Sequence, residues 1–575
     1  MNENSSLHRK MIYIMLLVVL IFPLYLLGAP ATLEDDGGKL ARLRKENELG
    51  QSDLGEIDPA SETIRMATLG LRGIAVSMLW TKANEFKKKE DWTNFRATLE
   101  QLAKLQPYFI SFWKYQAWNL TYNVSVELDA VRDRFGYVLR GITFLKEGTK
   151  FNRDNPHLIS ELGWFIGNKI GRADEHVEYR RLFKADDDFQ NSFHDGNPPP
   201  PEQRDNWLVS RREYEESISV VDDKKKSIGQ KNPTTYFAAP AMSQINYSEA
   251  IEEEGTFGEK ARAAWRTAAK LWSEYGSREM RSSRGTMIRL GELTRWELEV
   301  KKLQSEFDAL SMGVRAELVT DKRGKLSPET LAAMGVPDNL RNEQQRNLAM
   351  EGEGSLSVTL EEIAERAAEN QPAKAGQISK LANRIAEIND RIFLINNNRQ
   401  VSNYEYWKVR ADFEQTNDAL RARELAYAAN QAFKEDADLL KARQLFEQSF
   451  DLWAKVFVEF PSLPLDSTTG SDIMDYVEQY SAILEQLDLN LGDEEVDSRF
   501  PLWDMVIAND NERKYFDQIA EHNRRLGLNA EGTGPLEQSA PAETPETEEA
   551  APPAEETPAE APPAAEEAPA AEPSS

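Results

Sequence analysis

The chain contains no cysteine. That excludes a disulfide framework, a thiolate metal site, an iron–sulfur cluster and a cysteine nucleophile. Histidine is scarce, with five in 575 residues. No two of His8, His157, His176, His194 and His522 stand three or four apart, so neither a helical zinc-protease nor a di-iron signature exists. Positive charge is short as well: 69 Lys plus Arg face 97 Asp plus Glu, a formal net charge of −28. A nucleic-acid binder needs a basic surface to displace phosphate counterions, and this composition argues against one. A Gly-x-x-x-x-Gly-Lys-Ser/Thr phosphate loop and a Gly-x-Ser-x-Gly elbow are also missing. The chain therefore reads as a non-enzyme, with no cofactor, metal or small-molecule ligand expected.

Both ends differ from the body. Met11 to Leu27 is apolar and uncharged, and Gly28 and Ala29 extend it to about nineteen residues, near the roughly twenty that span hydrocarbon. Arg9 and Lys10 precede it; Glu34, Asp35 and Asp36 follow. The positive-inside rule then leaves residues 1–10 in the cytoplasm, 11–29 as a signal-anchor helix in the inner membrane, and the bulk on the non-cytoplasmic side. Lys39, Arg42, Arg44 and Lys45 act against that orientation. A cleaved signal peptide is the rival reading, because Ala29-Pro30-Ala31 has the small-x-small form. Residues 30–60 read as a linker. At the other end, the stretch from Glu531 onward has no Lys or Arg and about twelve Glu among repeated Ala and Pro. It lacks the apolar area to offset chain entropy, so 529–575 is expected to be a disordered tail, solubilising or partner-binding.

Between the ends, apolar residues recur with a helical period. Phe95, Leu99, Leu102 and Leu105 share one face of a helix that stops before Pro107. Leu381, Ile385, Ile388 and Ile392 form a stripe on a long helix, matched upstream by Trp296, Val300 and Leu303, as in a helical hairpin. Small residues followed by large ones and closed by proline suggest tetratricopeptide-like hairpins. Ala83, Phe86, Leu99, Leu102 and Pro107 make one, and Trp113, Ala117, Tyr122, Gly141, Leu145, Gly148 and Pro156 the next. Ala429, Phe433, Ala442, Phe446, Trp453 and Pro461 repeat the pattern later. The expected class is all-α: helical-hairpin repeats in an α-solenoid, with an N-terminal transmembrane helix and a disordered C-terminal tail. An irregular helical domain is the alternative. The expected blocks are a repeat domain at 61–190, an insert-rich region with long helices at 191–400, and a second repeat domain at 401–528. Within the middle block, residues 223–260 mix Lys, Gly, Pro and Ser and read as an excursion over the surface.

The densest aromatic block holds Trp113, Tyr115, Trp118 and Tyr122, followed by Asn123. Rings at this density form a core; as a functional reading they are the candidate partner-binding surface, an aromatic groove for a peptide. Asp186, Asp187, Asp188 and Asp195 resemble an acidic calcium cluster, but the sixth and twelfth positions hold Asn191 and Asn197 instead of Gly and Glu.

Five runs carry a family resemblance: 69–73, Leu-Gly-Leu-Arg-Gly; 103–107, Ala-Lys-Leu-Gln-Pro; 116–127, Gln-Ala-Trp-Asn-Leu-Thr-Tyr-Asn-Val-Ser-Val-Glu; 144–148, Phe-Leu-Lys-Glu-Gly; and 161–171, Glu-Leu-Gly-Trp-Phe-Ile-Gly-Asn-Lys-Ile-Gly. They resemble a group of uncharacterised bacterial membrane-anchored, tetratricopeptide-like helical proteins, some of which bear an "iron responsive element" label. The resemblance implies an anchor and a helical fold, and no catalytic residue. The function expected from all of this is a membrane-anchored helical-repeat scaffold that binds protein partners outside the cytoplasm. The alternatives are a helical cell-envelope enzyme acting on wall glycan and a purely architectural envelope protein.

Overall fold

A computed structural model describes residues 72–528, together with isolated positions between Met11 and Arg42. The described chain is helical apart from one hairpin of two-residue strands, β1 (Met280–Arg281) and β2 (Met287–Ile288), paired antiparallel. Two compact units divide it: Met1–Gly229 with Ala428–Ser575, and Gln230–Tyr427.

The first unit opens with α1 (Arg72–Lys88), α2 (Trp92–Leu105), α3 (Ile110–Trp118), α4 (Val131–Phe151), α5 (Pro156–Trp164), α6 (His176–Ala185), α7 (Asp187–Phe193) and α8 (Asn206–Lys224). Helix starts follow local rules. Asp91 and Asp205 accept backbone N–H groups at the heads of α2 and α8, and Asn155 does so for α5 with Pro156 behind it. Neighbours in sequence pack on one another, α1 on α2, α3 on α4 and α4 on α5, while α5 also lies against α8. Glycines set how closely they approach. A Cβ on Gly148 of α4 would lie 2.7 Å from ring carbons of Trp113. Gly163, Gly167 and Gly171 repeat at every fourth residue, and Cβ atoms there would meet Ser210, Tyr214 and Trp207 of α8. The close approach lets Ser210 donate to the Gly163 carbonyl at 2.7 Å and Ser217 to that of Pro156 at 2.6 Å.

The second unit holds α9 (Pro233–Glu253), α10 (Glu259–Ser277), α11 (Leu293–Leu310), α12 (Val314–Arg323), α13 (Pro328–Met334), α14 (Glu343–Leu356), α15 (Leu360–Asn370), α16 (Ala375–Val401), α17 (Tyr404–Glu414) and most of α18 (Asn417–Lys434). The long stripes pair as their period implies: α11 packs along α16, burying Trp296, Ile385 and Ile388. The expected surface excursion at 223–260 is corrected. Asn232 caps α9 with Pro233 at its first turn, and Tyr236, Ala241, Ile245 and Ile251 are buried. Pro240 lies inside this helix, which runs on to Glu253; Asn232-Pro233 starts a helix, and Pro240 does not end it.

A buried ion network ties α9, α10, α17 and α18 together. Arg423 forks onto Glu414, with Nε 2.9 and 2.7 Å from its two oxygens. Arg410 reaches Glu249 at 3.2 Å and donates to Tyr406 at 2.6 Å. Trp265 Nε1 donates to Glu252 at 2.7 Å. Burial, with Glu414 beside it, pushes the Glu252 carboxyl up to about 8, and burial also raises that of Glu249. Three carboxylates thus share two guanidiniums, and the mismatch is relieved by a proton.

The rest of the first unit comprises the end of α18 with α19 (Leu439–Glu459), α20 (Ser467–Gln486), α21 (Glu494–Asp497), α22 (Trp503–Asn509) and α23 (Phe516–Arg525). Phe446, Phe450, Trp453 and Tyr480 are buried between α19 and the elements after it.

Among the described residues no helix is long and apolar enough to cross a membrane. The expected transmembrane helix over Met11 to Ala29 is not among these helices, and most of that stretch lies outside the described residues. The single-pass inner-membrane topology, the membrane as a partner and the non-cytoplasmic placement of the bulk are corrected with it: they rested on that helix and are not carried further. Among the described helices, α16 has the length at 27 residues, but it carries Lys380, Arg384, Glu387, Asp390 and Arg391 along its course. α1 is shorter, at 17 residues, and carries Arg72, Lys82, Glu85, Lys87 and Lys88. Most of 11–29, the linker and the expected disordered tail at 529–575 lie outside the described residues.

Two expectations follow. In α4, Gly136 has open space where Gly148 has the Trp113 ring. Gly136→Ala should gain up to about 1 kcal/mol from helix propensity, whereas Gly148→Val should cost about 1–3 kcal/mol through overpacking. In urea titrations, a Gly148→Val variant at least as stable as the native protein would show the ring contact to be unimportant. For Glu252, the folded value of about 8 stands above the ordinary 4.5. Its contribution to stability is therefore full below about pH 4.5 and is lost as pH rises through about 8. Glu252→Gln keeps an acceptor for Trp265 but cannot titrate. Its unfolding midpoint should change less than that of the native protein between pH 5 and 8.5; equal slopes would refute the assignment.

Candidate functional site

The five residues singled out in the aromatic block separate into two environments. Trp113 is fully buried; its Nε1 donates to the Pro107 carbonyl at 2.8 Å, and its ring lies 4.7 Å from Phe144. It is a core residue. Tyr115 is half-buried and packs 5.9 Å from Trp80. Trp118 and Tyr122 stack with centroids 4.1 Å apart and planes 16° from parallel, and both are half-exposed. Asn123 is exposed and donates to Asn119 Oδ1 at 3.0 Å.

The structure adds Trp164 and Lys169 to this surface. Trp164 is half-exposed and near-parallel to both stacked rings, 6.1 Å from Trp118 and 5.9 Å from Tyr122. Phe165 closes the back edge-on, 5.8 Å from Tyr122. Lys169 places its ammonium 4.6 Å from the Tyr122 ring centre. Such aromatic pairs contribute about 0.5–1.5 kcal/mol each beyond their buried area.

Two wide helical turns make the arrangement. Asn119–Val124 and Phe165–Lys169 are π-helical, continuing α3 and α5 without a break. A π turn takes in one more residue, so carbonyls inside it lose their usual i+4 donor. Within these turns Ser125 Oγ donates to the Thr121 carbonyl at 2.5 Å and Asn168 Nδ2 to that of Trp164 at 3.2 Å. π turns of this kind recur at functional sites.

The electrostatics are uneven. Lys114 pairs with Glu161 at 3.2 Å, and Arg134 pairs with Glu175. Among the described residues, Lys169 has no carboxylate within ion-pair distance. Burial holds its pKa below the ordinary lysine range, against the opposing pull of Glu175 and Asp174. The surface therefore offers parallel rings and a cation short of negative charge. Sequence reasoning misses Trp164 and Lys169, although both lie in the glycine-rich run 161–171. The signal was a second Trp followed four residues later by an asparagine, Trp164 and Asn168, in a helix spaced by glycines.

Other candidates resolve into structural roles. Asp186 caps α7 by accepting from the Phe189 N–H at 2.8 Å, Asp187 pairs with Arg204, and Asp195 pairs with Lys150 at 2.6 Å. Among the described residues no group of three or more His, Asp or Glu could hold a metal ion. His522 Nδ1 lies 2.6 Å from Asp497 Oδ1, Arg525 sits 2.9 Å from the other oxygen, and the imidazole stacks 4.4 Å from Trp503. That clamp joins α21, α22 and α23. Burial, with Arg212 and Lys146 adding to it, pushes His194 down to about 4. An open depression on α14 is lined by Glu343, Gln344, Asn347, Leu348 and Glu351, all from one helical flank.

No protein-family model, curated protein or solved structure matches the chain.

Proposed function

We propose that this chain is an all-α scaffold that binds an extended peptide partner at the Trp118–Tyr122–Trp164 surface and carries out no reaction of its own. One observation carries the reading: three half-buried, near-parallel rings beside an ammonium with no carboxylate within ion-pair distance among the described residues. Flat aromatic faces accept prolyl rings and peptide planes, and an extended proline-rich segment loses little entropy on docking. The lysine favours an acidic peptide. The surrounding core supports a binding role mechanically, because Phe165 packs edge-on against all three rings from the core side.

The hydrolase alternative requires a carboxyl of raised pKa beside a substrate cleft. Glu252 has such a pKa, but it is enclosed by four helices, bonded to Trp265 and set against Arg423. This geometry supports a structural proton. The architectural alternative, freed of any membrane, is supported by the paired α11 and α16 and is compatible with a scaffold.

The test is an array of immobilised proline-rich acidic peptides probed with the full chain. Trp118→Ala should weaken capture at least about tenfold, equal to about 1.4 kcal/mol or more, as expected at a binding hot spot. The exposed control Glu178→Ala should leave capture unchanged. Capture that is absent, or indifferent to the loss of Trp118, would sink the reading.

A further inference from the structure

We infer that the chain supplies one occupant of this surface itself: the acidic, proline-rich segment 529–575, with prolines against the Trp118–Tyr122–Trp164 rings and a glutamate on Lys169. This rests on the peptide-binding reading above and names the ligand.

The chemistry of the two partners is complementary. The surface has aromatic faces and an ammonium without a carboxylate within ion-pair distance among the described residues. The segment from Glu531 onward has about twelve Glu, no Lys or Arg, and prolines at 541, 545, 552, 553, 558, 562, 563, 569 and 573. Pairs such as Pro558 with Glu560, or Pro569 with Glu572, set a ring and a carboxylate two or three residues apart. At about 3.1 Å per residue of extended proline-rich chain, two or three residues cover about 6–9 Å. That matches a ring stacked on Trp118 with a carboxylate near Lys169, across a surface whose ring centres lie 4.1–6.1 Å apart.

Reach does not limit the contact. About 47 residues follow Leu528, an extended span of about 145 Å. A compact body of about 260 residues has a radius of gyration of only about 18 Å. Ala428–Ser575 and Met1–Gly229 belong to the same compact unit. Tethering raises the effective concentration to about the millimolar range, so individually weak proline and glutamate contacts suffice. Several equivalent proline–glutamate pairs also allow successive pairs to occupy the same rings. The segment would then compete with a partner of like chemistry, making the surface self-covered until a tighter peptide displaces it.

The experiment is zero-length carbodiimide crosslinking of the full chain, mixed from equal amounts of unlabelled and nitrogen-15-labelled protein and read by mass spectrometry. Lys146 and Glu213, 3.0 Å apart, provide an internal reference crosslink. The expected result is a same-label crosslink from Lys169 to a glutamate in 529–575, reduced at least tenfold in the Trp118→Ala/Tyr122→Ala variant while the reference persists. A reference crosslink without one from Lys169 to this segment would overturn the inference. So would mixed-label products alone, which would identify a second copy as the occupant, or a Lys169 crosslink that survives removal of the rings. Failure here with peptide capture intact removes only the self-docking inference; loss of both removes the binding surface.

Discussion

The Trp113 ring fills the space that a side chain on Gly148 would need. The first unit depends on this contact and its relatives. Without disulfides, the unit must be held by interdigitated helices, and dispersion falls steeply with any gap. Glycine on one helix lets an aromatic on the next reach its backbone. Gly148 receives Trp113, Gly167 and Gly171 receive Trp207, and Gly141 approaches Ala117 and Thr121. The contacts at Gly148, Gly167 and Gly171 exchange the low helix propensity of glycine for buried aromatic area. The Pro107 carbonyl fixes the same corner from outside the helices, accepting from both Trp113 and Asn152, the latter at 2.9 Å.

The exposed rings follow from that core. Trp113 and Trp118 lie five residues apart on one continuous helical run. On a regular helix that spacing turns a residue well away from its predecessor, so one faces the core while the other reaches the surface. Tyr122, four residues after Trp118, stacks on it, and Lys169 lies over the Tyr122 ring.

The legibility of the sequence varies with the range of the interaction. The helical stripe Leu381, Ile385, Ile388 was readable because a local period determines which face is buried. The small–large pairs Ala83, Leu99 and Ala442, Phe446 were readable for the same reason. Trp113, Trp118 and Tyr122 were found as a dense cluster, but their division between core and surface was not, since it depends on a phase shift without a propensity signature. Asn232-Pro233 was misread as a surface break because its role as a helix start becomes evident only with the packed face that follows. Glu249, Glu252, Glu414, Arg410 and Arg423 could not be singled out: in a chain rich in carboxylates, what distinguishes them is burial, and that depends on pairs far apart in sequence, Arg410 with Glu249 and Arg423 with Glu252. The apolar run from Met11 was read as a membrane span from its length, hydropathy and flanking charges, and most of it lies outside the described residues, among which no helix has the length and apolarity of a span.

Charge gives the two units opposite problems. In the second, buried carboxylates outnumber the guanidiniums that meet them, and a proton on the Glu252 side makes up the difference. In the first, a partly buried ammonium has no carboxylate within ion-pair distance among the described residues and rests on a tyrosine face. A buried mismatch of the first kind is relieved by protonation and needs no ligand, because solvent supplies the proton. A mismatch at a half-open surface is different. Its charge remains partly hydrated, the rings beside it remain uncovered, and an incoming carboxylate attached to an apolar ring satisfies both together. Desolvation already weakens the lysine's hold on water, so exchanging that water for a carboxylate costs less than at a fully exposed lysine. The geometry thus favours a ligand that joins negative charge to a flat or ring-shaped apolar group over one that carries either alone.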